Sequence, residues 1–288
     1  MHFAWKIVSI FIDINCINYD NRGNDFYQVY KMIIAVLNQK GGVGKSTVST
    51  NLAYQLATEE KETLLVDMDP QAHSSVIFCP DIPKENTIRD LLADKSFAVA
   101  KAMRQAMLDG EQEIPNLQII PANIHLAITA EQITSKIHRE KLLFNHLKKI
   151  VADFEFIIID CPPAVNVLTV NAIYASDVVL IPTTYGRYSL DGIADLFQSI
   201  EDVKESKDFE YWILRNVRDA RTKVSNEFVE EQLAPFSRNV LATVIRRNEA
   251  INQAQMNGQP VLYFSPRSNG AEDFKKLTKE IIKKCPNQ

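Results

Sequence analysis

The sequence predicts an α/β fold: a mostly parallel, twisted sheet with helices on both faces. Three observations lead there. Short runs rich in Ile, Val and Leu recur along the chain, stretches of helical period separate them, and the runs are near-continuous rather than alternating with polar residues. A strand open to water on one face alternates, whereas a strand covered on both faces does not.

Taken in order, "MIIAVLN" is the first strand. A glycine-rich stretch follows, then "KSTVSTNLAYQLATEE", in which Val48, Leu52 and Leu56 recur at helical spacing. "ETLLVDMD" is the next strand, and "LQIIPA", "FEFIIIDCPP", "SDVVLIPT", "FEYWILRNV" and "NVLATVI" are the others. Ile193, Leu196, Phe197, Ile200 and Val203 mark an amphipathic helix. Residues 77–150 are less regular, and "TIRDLLADKSFAVAKAMRQAMLDGEQE" reads as helices lying over a face of the sheet. Crossovers should be right-handed, with ligands at the C-terminal ends of the strands. No linker, repeat or low-complexity tract interrupts the pattern, so residues 32–288 are expected to form a single domain. Residues 1–31 read as an N-terminal extension, disordered or loosely docked and foreign to that fold. An extra strand and a start assigned too early are the competing readings.

The chain is 46% hydrophobic and carries a formal net charge of −4, so nonspecific adhesion of the whole molecule to nucleic acid is not expected. The charge is uneven: residues 212–288 hold 13 Lys+Arg against 8 Asp+Glu. Any surface for a polyanion should therefore lie toward the C-terminal end. No apolar run approaches the ~18 residues that a membrane span requires. The opening "MHFAWKIVSIFIDINCI" resembles a secretory leader, but Lys6 and Asp13 break it and no small-residue cleavage site follows. Cys16, Cys79, Cys161 and Cys285 form no CxxC pair, a usage that fits a reducing cytoplasmic setting.

Three of the nine glycines fall within "KGGVGKST", between a predicted strand and a predicted helix. The pattern GxxxxGK[ST] cradles phosphates there because backbone N–H groups converge where no Cβ obstructs them, and the helix N-terminus adds positive potential. Gly44, Lys45 and Ser46 supply its end, although Gln39 occupies the place of the leading glycine. Lys40, Gly41, Gly42, Val43, Gly44, Lys45, Ser46 and Thr47 are thus the candidate nucleotide-binding residues. Lys45 is expected to neutralise β- and γ-phosphates, and the Ser46 hydroxyl to bind Mg²⁺. Two carboxylate elements accompany the loop. "VDMDPQAHSS" puts Asp67 and Asp69 at the end of one strand, and "IIIDCPP" ends another at Asp160. An acid after four apolar residues is costly to bury unless it faces a polar site that contains a cation, which makes Asp160 a Walker-B candidate.

These three segments resemble the deviant-Walker P-loop NTPases, and specifically the ParA/Soj partition ATPases. "NLQIIPAN", "LTVNAIYASDVVLIPTT" and "RNEAINQAQMNGQPVLYFSPRSNGAEDF" extend the resemblance from about Met32 to the last helix. It implies a slow ATP hydrolase that uses ATP/ADP and Mg²⁺, with Lys40, Lys45 and Asp69 catalytic and Ser46, Asp67 and Asp160 near the metal. Lys40 would reach across a nucleotide-sandwich homodimer to the phosphates of the other subunit, and Asp69 would orient the attacking water. The ATP-bound homodimer would bind nonspecific double-stranded DNA and be reset by a ParB-like or cargo adaptor. The setting would be cytoplasmic and nucleoid-associated, with no membrane. Arg221, Arg247 and Arg267 match arginines of the family, and Lys275, Lys276, Lys279, Lys283 and Lys284 enrich the last helix, so these are the DNA-binding candidates. With only about 37 residues before the loop, the helix-turn-helix domain of larger partition ATPases and operator-specific autoregulation are not expected. The chain departs from the family at Arg246, where proline is common, and at "LRNVRDART", where a "TMYD"-like strand end is common.

The nearest alternative is a MinD-like, membrane-associated division-site regulator. It would use Phe274, Leu277, Ile281 and Ile282 as an amphipathic stripe, which core packing of the last helix explains more simply. An iron–sulfur ATPase would need a second cysteine suitably spaced from Cys161, and a small-molecule ligase would need a second-substrate motif. Neither is visible in the sequence.

Overall fold

Period-two alternation along β1 (Met32–Val36) sends Ile34 and Val36 into one apolar layer and Ile33 and Ala35 into the other. The same division holds in β5 (Phe156–Asp160), where Phe156 and Ile158 oppose Ile157 and Ile159. Near-continuous apolar runs are therefore strands covered twice, as the sequence predicts. The structure, a computed structural model, describes residues 31–185 and 193–285. The expected extension lies outside the described residues except for Lys31, whose Nζ donates to the Ala152 carbonyl at 2.6 Å.

The first half of the chain runs β1, α1 (Lys45–Thr58), β2 (Thr63–Asp67), α2 (His73–Phe78), α3 (Ile88–Ala93), β3 (Arg104–Leu108) and β4 (Gln112–Ile120). Next come α4 (Leu126–Ile133), α5 (Leu142–Leu147), β5, α6 (Val167–Ala175), β6 (Val178–Thr184) and α7 (Ile193–Lys204). The last part is β7 (Glu210–Arg218), α8 (Lys223–Leu233), β8 (Val240–Arg246), α9 (Glu249–Met256), α10 (Val261–Phe264) and α11 (Asn269–Lys284). The strands make one sheet in the order β3-β4-β2-β5-β1-β6-β7-β8. All neighbours are parallel except β3 and β4.

That antiparallel edge corrects the expectation of helices alone between "TIRDLL" and "GEQE". Asp109 and Gly110 both have positive φ, 52° and 76°, and the Glu111 N–H donates to the Leu108 carbonyl at 3.1 Å. These two residues open a three-residue hairpin loop, 109–111, which folds Arg104–Leu108 back onto β4.

One layer holds α1 and α11, with Val48, Leu52 and Leu56 fully buried as their spacing predicts. Phe274, Leu277 and Ile281 of α11 are in the same layer and Ile282 packs against it, so the apolar stripe of the last helix is core. The other layer buries Ile193-side residues of α7, Leu196 and Ile200 among them, with residues of α3, α5 and α6.

Strands β2, β5 and β1 are adjacent and end level, since Asp67 pairs in register with Asp160 and Asp160 with Val36. Their C-terminal ends therefore gather the two acids and the glycine loop at one place, where open α/β sheets bind ligands.

Candidate functional site

Gly44 is the N-cap of α1, with φ 85° and ψ 31°, and no side chain caps this helix. Uncapped N–H groups at the start of a 14-residue helix are an anion site by geometry. A Cβ on Gly41 or Gly42 would meet nothing within 4 Å, so their hydrogens leave the face of the loop open. At Gly44 the reason for glycine is different: a Cβ there would stand 2.5 Å from Nδ2 of Asn216. That amide donates to the Val43 carbonyl at 2.7 Å and ties β7 to the loop. Asn38 secures the other end, since its Nδ2 donates to the Pro182 carbonyl at 2.8 Å and its Oδ1 accepts from the Lys40 N–H at 2.9 Å.

The two loop lysines have opposite surroundings. Lys45 is 7% exposed, and its Nζ donates to the Lys40 carbonyl at 3.3 Å. Burial lowers its pKa, while Asp160 acts against that shift. The Lys40 side chain is exposed.

Asp160 is fully buried, and burial raises its pKa. Hydroxyls favour its charged form: Ser74 donates to it at 2.6 Å and Ser49 at 3.0 Å, and the nearby Ser46 acts in the same sense. Asp67, equally buried, is pushed up to about 8 by burial and then by Asp160. Its Oδ1 accepts from the Asp69 N–H at 3.0 Å, and its Oδ2 accepts from the Ser75 N–H at 2.9 Å and hydroxyl at 2.7 Å. Ser75 in turn accepts from the Ala122 N–H at 2.8 Å. Asp69 is 7% exposed, and its Oδ1 accepts from the Gln71 N–H at 2.9 Å. The structure thus brings Lys45, Ser46, Asp67, Asp69 and Asp160 to one place, and gives Asp67 the further task of holding the turn into α2. A hydroxyl beside buried carboxylates is a hard-oxygen donor set of the kind Mg²⁺ takes, and a bound cation would favour the charged form that burial opposes.

Beside the loop a cavity of about 410 Å³ opens at the C-terminal ends of β7 and β8, against α9. Gly44, Thr47, Asn216, Val217, Arg246 and Arg247 line part of it. Val217 holds φ 56°, unusual for a β-branched residue, and its N–H donates to Asn216 Oδ1 at 2.9 Å. Arg246, where the family commonly has proline, uses its backbone N–H: it donates to Asp273 Oδ2 at 2.9 Å, a bond proline could not make. Its guanidinium also grips Asp273, at 2.7 Å from Nη2 and 2.9 Å from Nε.

The DNA-binding candidates divide. Arg221 and Arg247, from different loops, meet at Asp219. Arg267 lies exposed in the turn before α11 and shares no ion pair with them among the described residues. On α11, Lys275 is half-buried, Lys276 pairs with Glu272 at 2.7 Å, and Lys279 and Lys283 are exposed. Lys284 sits 5.5 Å from the centroid of the Trp212 ring. Among the described residues no helix is long and apolar enough to cross a membrane. Cys161 is fully buried, and its Sγ donates to the Ile159 carbonyl.

The AAA domain family matches residues 31–211. The sporulation initiation inhibitor protein Soj of Bacillus subtilis is 37% identical over 255 residues, covering 86% of this chain and 97% of the relative. The chromosome partitioning protein ParA of Myxococcus xanthus is 34% identical, covering 91% and 92%. Among solved structures, cobyrinic acid a,c-diamide synthase from Mycobacterium smegmatis, with an ATP analogue and magnesium bound, superposes with a TM-score of 0.72. It is 27% identical and covers 88% of this chain and 95% of that one. Likeness of this extent to Soj and ParA goes well beyond a shared phosphate loop, and the chain belongs to the ParA/Soj family of partition ATPases, nucleotide hydrolases of the α/β class.

Proposed function

We propose that this ATPase pairs with a second copy of itself when ATP and Mg²⁺ are bound, and that the pair binds double-stranded DNA without sequence preference. A cargo-bound adaptor would then stimulate hydrolysis and release it. The observation that carries this reading is the contrast between two lysines of one loop. Lys45 is folded inward against its own loop, whereas Lys40 stands exposed at the rim. A triphosphate carries several negative charges, and two facing sites would repel one another unless cations were supplied across the interface. Lys40 is free to supply one.

Within a subunit, the open faces of Gly41 and Gly42 and the α1 N-terminus would receive the phosphates, and Lys45 would neutralise them. Ser46 and Asp160, with Asp67 behind them, would hold Mg²⁺, which supplies charge neutralisation at the β- and γ-phosphate oxygens when bound. Asp69, fixed by the Gln71 N–H, would orient the attacking water. The cavity at the ends of β7 and β8 would take the base. Arg221 and Arg247 would meet DNA phosphates, with Arg267, Lys275, Lys276 and Lys279 adding to the field. The packed stripe of α11 argues against a membrane-bound role for that helix.

The test is duplex DNA binding by the full chain with ATP, with ADP and without nucleotide, alongside Lys45→Ala and Lys40→Ala. Binding should require ATP and be abolished by either change. Equal binding in all three conditions would defeat the reading.

A further inference from the structure

Arg221 follows β7 and Arg247 follows β8, yet both converge on one carboxylate. Asp219 accepts from Arg221 Nε at 3.0 Å and from Nη2 at 2.7 Å, and Nη1 of Arg247 lies 3.8 Å from its Oδ2. The arginine side chains are 84% and 63% exposed, and the carboxylate between them 15%. Water therefore reaches the cations while the neutralising charge sits beneath them.

The carboxylate is held in place by its own backbone. The Asp219 carbonyl accepts from Thr222 Oγ1 at 3.0 Å and from Asn226 Nδ2 at 2.9 Å, and Asn226 is buried. The Oδ1 of Asp219 also accepts from the Arg221 N–H at 3.0 Å. The two loops are joined, since the Arg247 N–H donates to the Arg218 carbonyl at 2.8 Å. Hydrogen bonds from Arg221 hold the Asp219 carboxyl well below the ordinary carboxylate range, so it is charged across the physiological range.

We propose that Asp219 is a built-in counterion that competes with DNA phosphates for Arg221 and Arg247 and so sets the affinity of this surface. Exposed pairs of this kind contribute little to stability, and a phosphate offers the same bidentate acceptor geometry as a carboxylate. Exchange from one to the other is thus inexpensive, and each phosphate contact is partly offset by the pair it breaks. The proposal rests on the DNA-binding reading for the identity of the polyanion. The counterion role itself does not.

The test compares wild type, Asp219→Asn, Arg221→Ala and Asp219→Asn/Arg221→Ala as full chains with Mg²⁺ and a nonhydrolysable ATP analogue. Asparagine keeps an oxygen for the Arg221 N–H and removes the charge. Duplex affinity is measured across a salt series, and elution from a heparin column is measured in parallel. Asp219→Asn should bind duplex about 5-fold tighter, with a salt slope steeper by about one ion, and should leave heparin later. Most of the gain should vanish when Arg221 is also replaced. If Asp219→Asn binds no tighter than wild type while Arg221→Ala binds more weakly, the carboxylate merely orients its arginine and the proposal is overturned. If no protein binds duplex in any nucleotide state, the DNA reading fails and the heparin arm decides: later elution of Asp219→Asn sustains the counterion, unchanged elution rejects it.

Discussion

The Nδ2 of Asn216 donates to the carbonyl of Val43 at 2.7 Å, joining residues 173 positions apart. This bond couples the end of β7 to the phosphate loop, and the same amide nitrogen is what a side chain at position 44 would strike.

Asn216→Ala should therefore weaken nucleotide binding about 5-fold, the equivalent of one hydrogen bond of about 1 kcal/mol, with the fold intact. Gly44→Ala should be more severe, because alanine at φ 85° adds about 1–2 kcal/mol of backbone strain to the clash. In the double variant the clash is gone and the strain remains, so binding should recover only in part. Titration with a fluorescent ATP analogue reads all three.

Asp273 is nearly buried, and Arg246 provides both its backbone N–H and its guanidinium. Arg246→Ala should destabilise the protein by about 2–4 kcal/mol in urea denaturation, less than a fully buried pair because the Arg246 side chain is 41% exposed. Arg246→Met with Asp273→Asn, which keeps an oxygen for the N–H of residue 246, should regain part of that loss. A double variant no better than Arg246→Ala would show that the pair is not the cause.

His146 of α5 is 1% exposed, and neither ring nitrogen has a hydrogen-bond partner among the described residues. Burial and then Lys149 lower its pKa, against weaker opposing influences from the Leu91 and Asp94 carbonyls and the Asp94 carboxylate. The unfolded chain, with an ordinary pKa of about 6.5, binds the proton first as pH falls. Stability should thus be lost below about pH 6.5, down to the folded pKa, and His146→Leu should flatten that part of the curve. Chemical denaturation between pH 5 and 8 measures it. An unchanged slope would assign the acid sensitivity to other groups.

Gly110 adopts φ 76° in the β3–β4 turn, where a Cβ would make only ordinary contact with Pro80. Gly110→Ala should cost about 1 kcal/mol from backbone strain alone, and Gly110→Asn less, because asparagine tolerates this region. Thermal melting separates them, and equal melting temperatures for both variants would contradict the turn assignment.

The sheet was legible wherever a strand is buried on both faces, because uninterrupted apolar runs such as Phe156–Ile159 leave no other reading. Strand β3 was not, since Arg, Gln, Ala, Met and Leu are good helix formers and only its pairing with β4 makes it extended. The local clue was Asp109-Gly110, a hairpin dipeptide that the helical reading passed over. In the site, Asp67, Asp69 and Asp160 stand out as acids ending apolar strands. Their supporting hydroxyls do not: Ser49 and Ser74 meet Asp160 from 111 and 86 positions away. The adjacent serines in "AHSS" were the available signal, with one donating to each buried acid. Asn216 carried none, because its partner is a backbone carbonyl on a distant loop.

The exposed Lys40 as a cation for a second subunit is best tested by sedimentation of the full chain saturated with Mg²⁺ and a nonhydrolysable ATP analogue. Wild type should run as a dimer with the analogue and as a monomer with ADP, and Lys40→Ala should bind the analogue yet stay monomeric. A wild-type monomer at saturation, or a Lys40→Ala dimer as firm as wild type, would contradict the account.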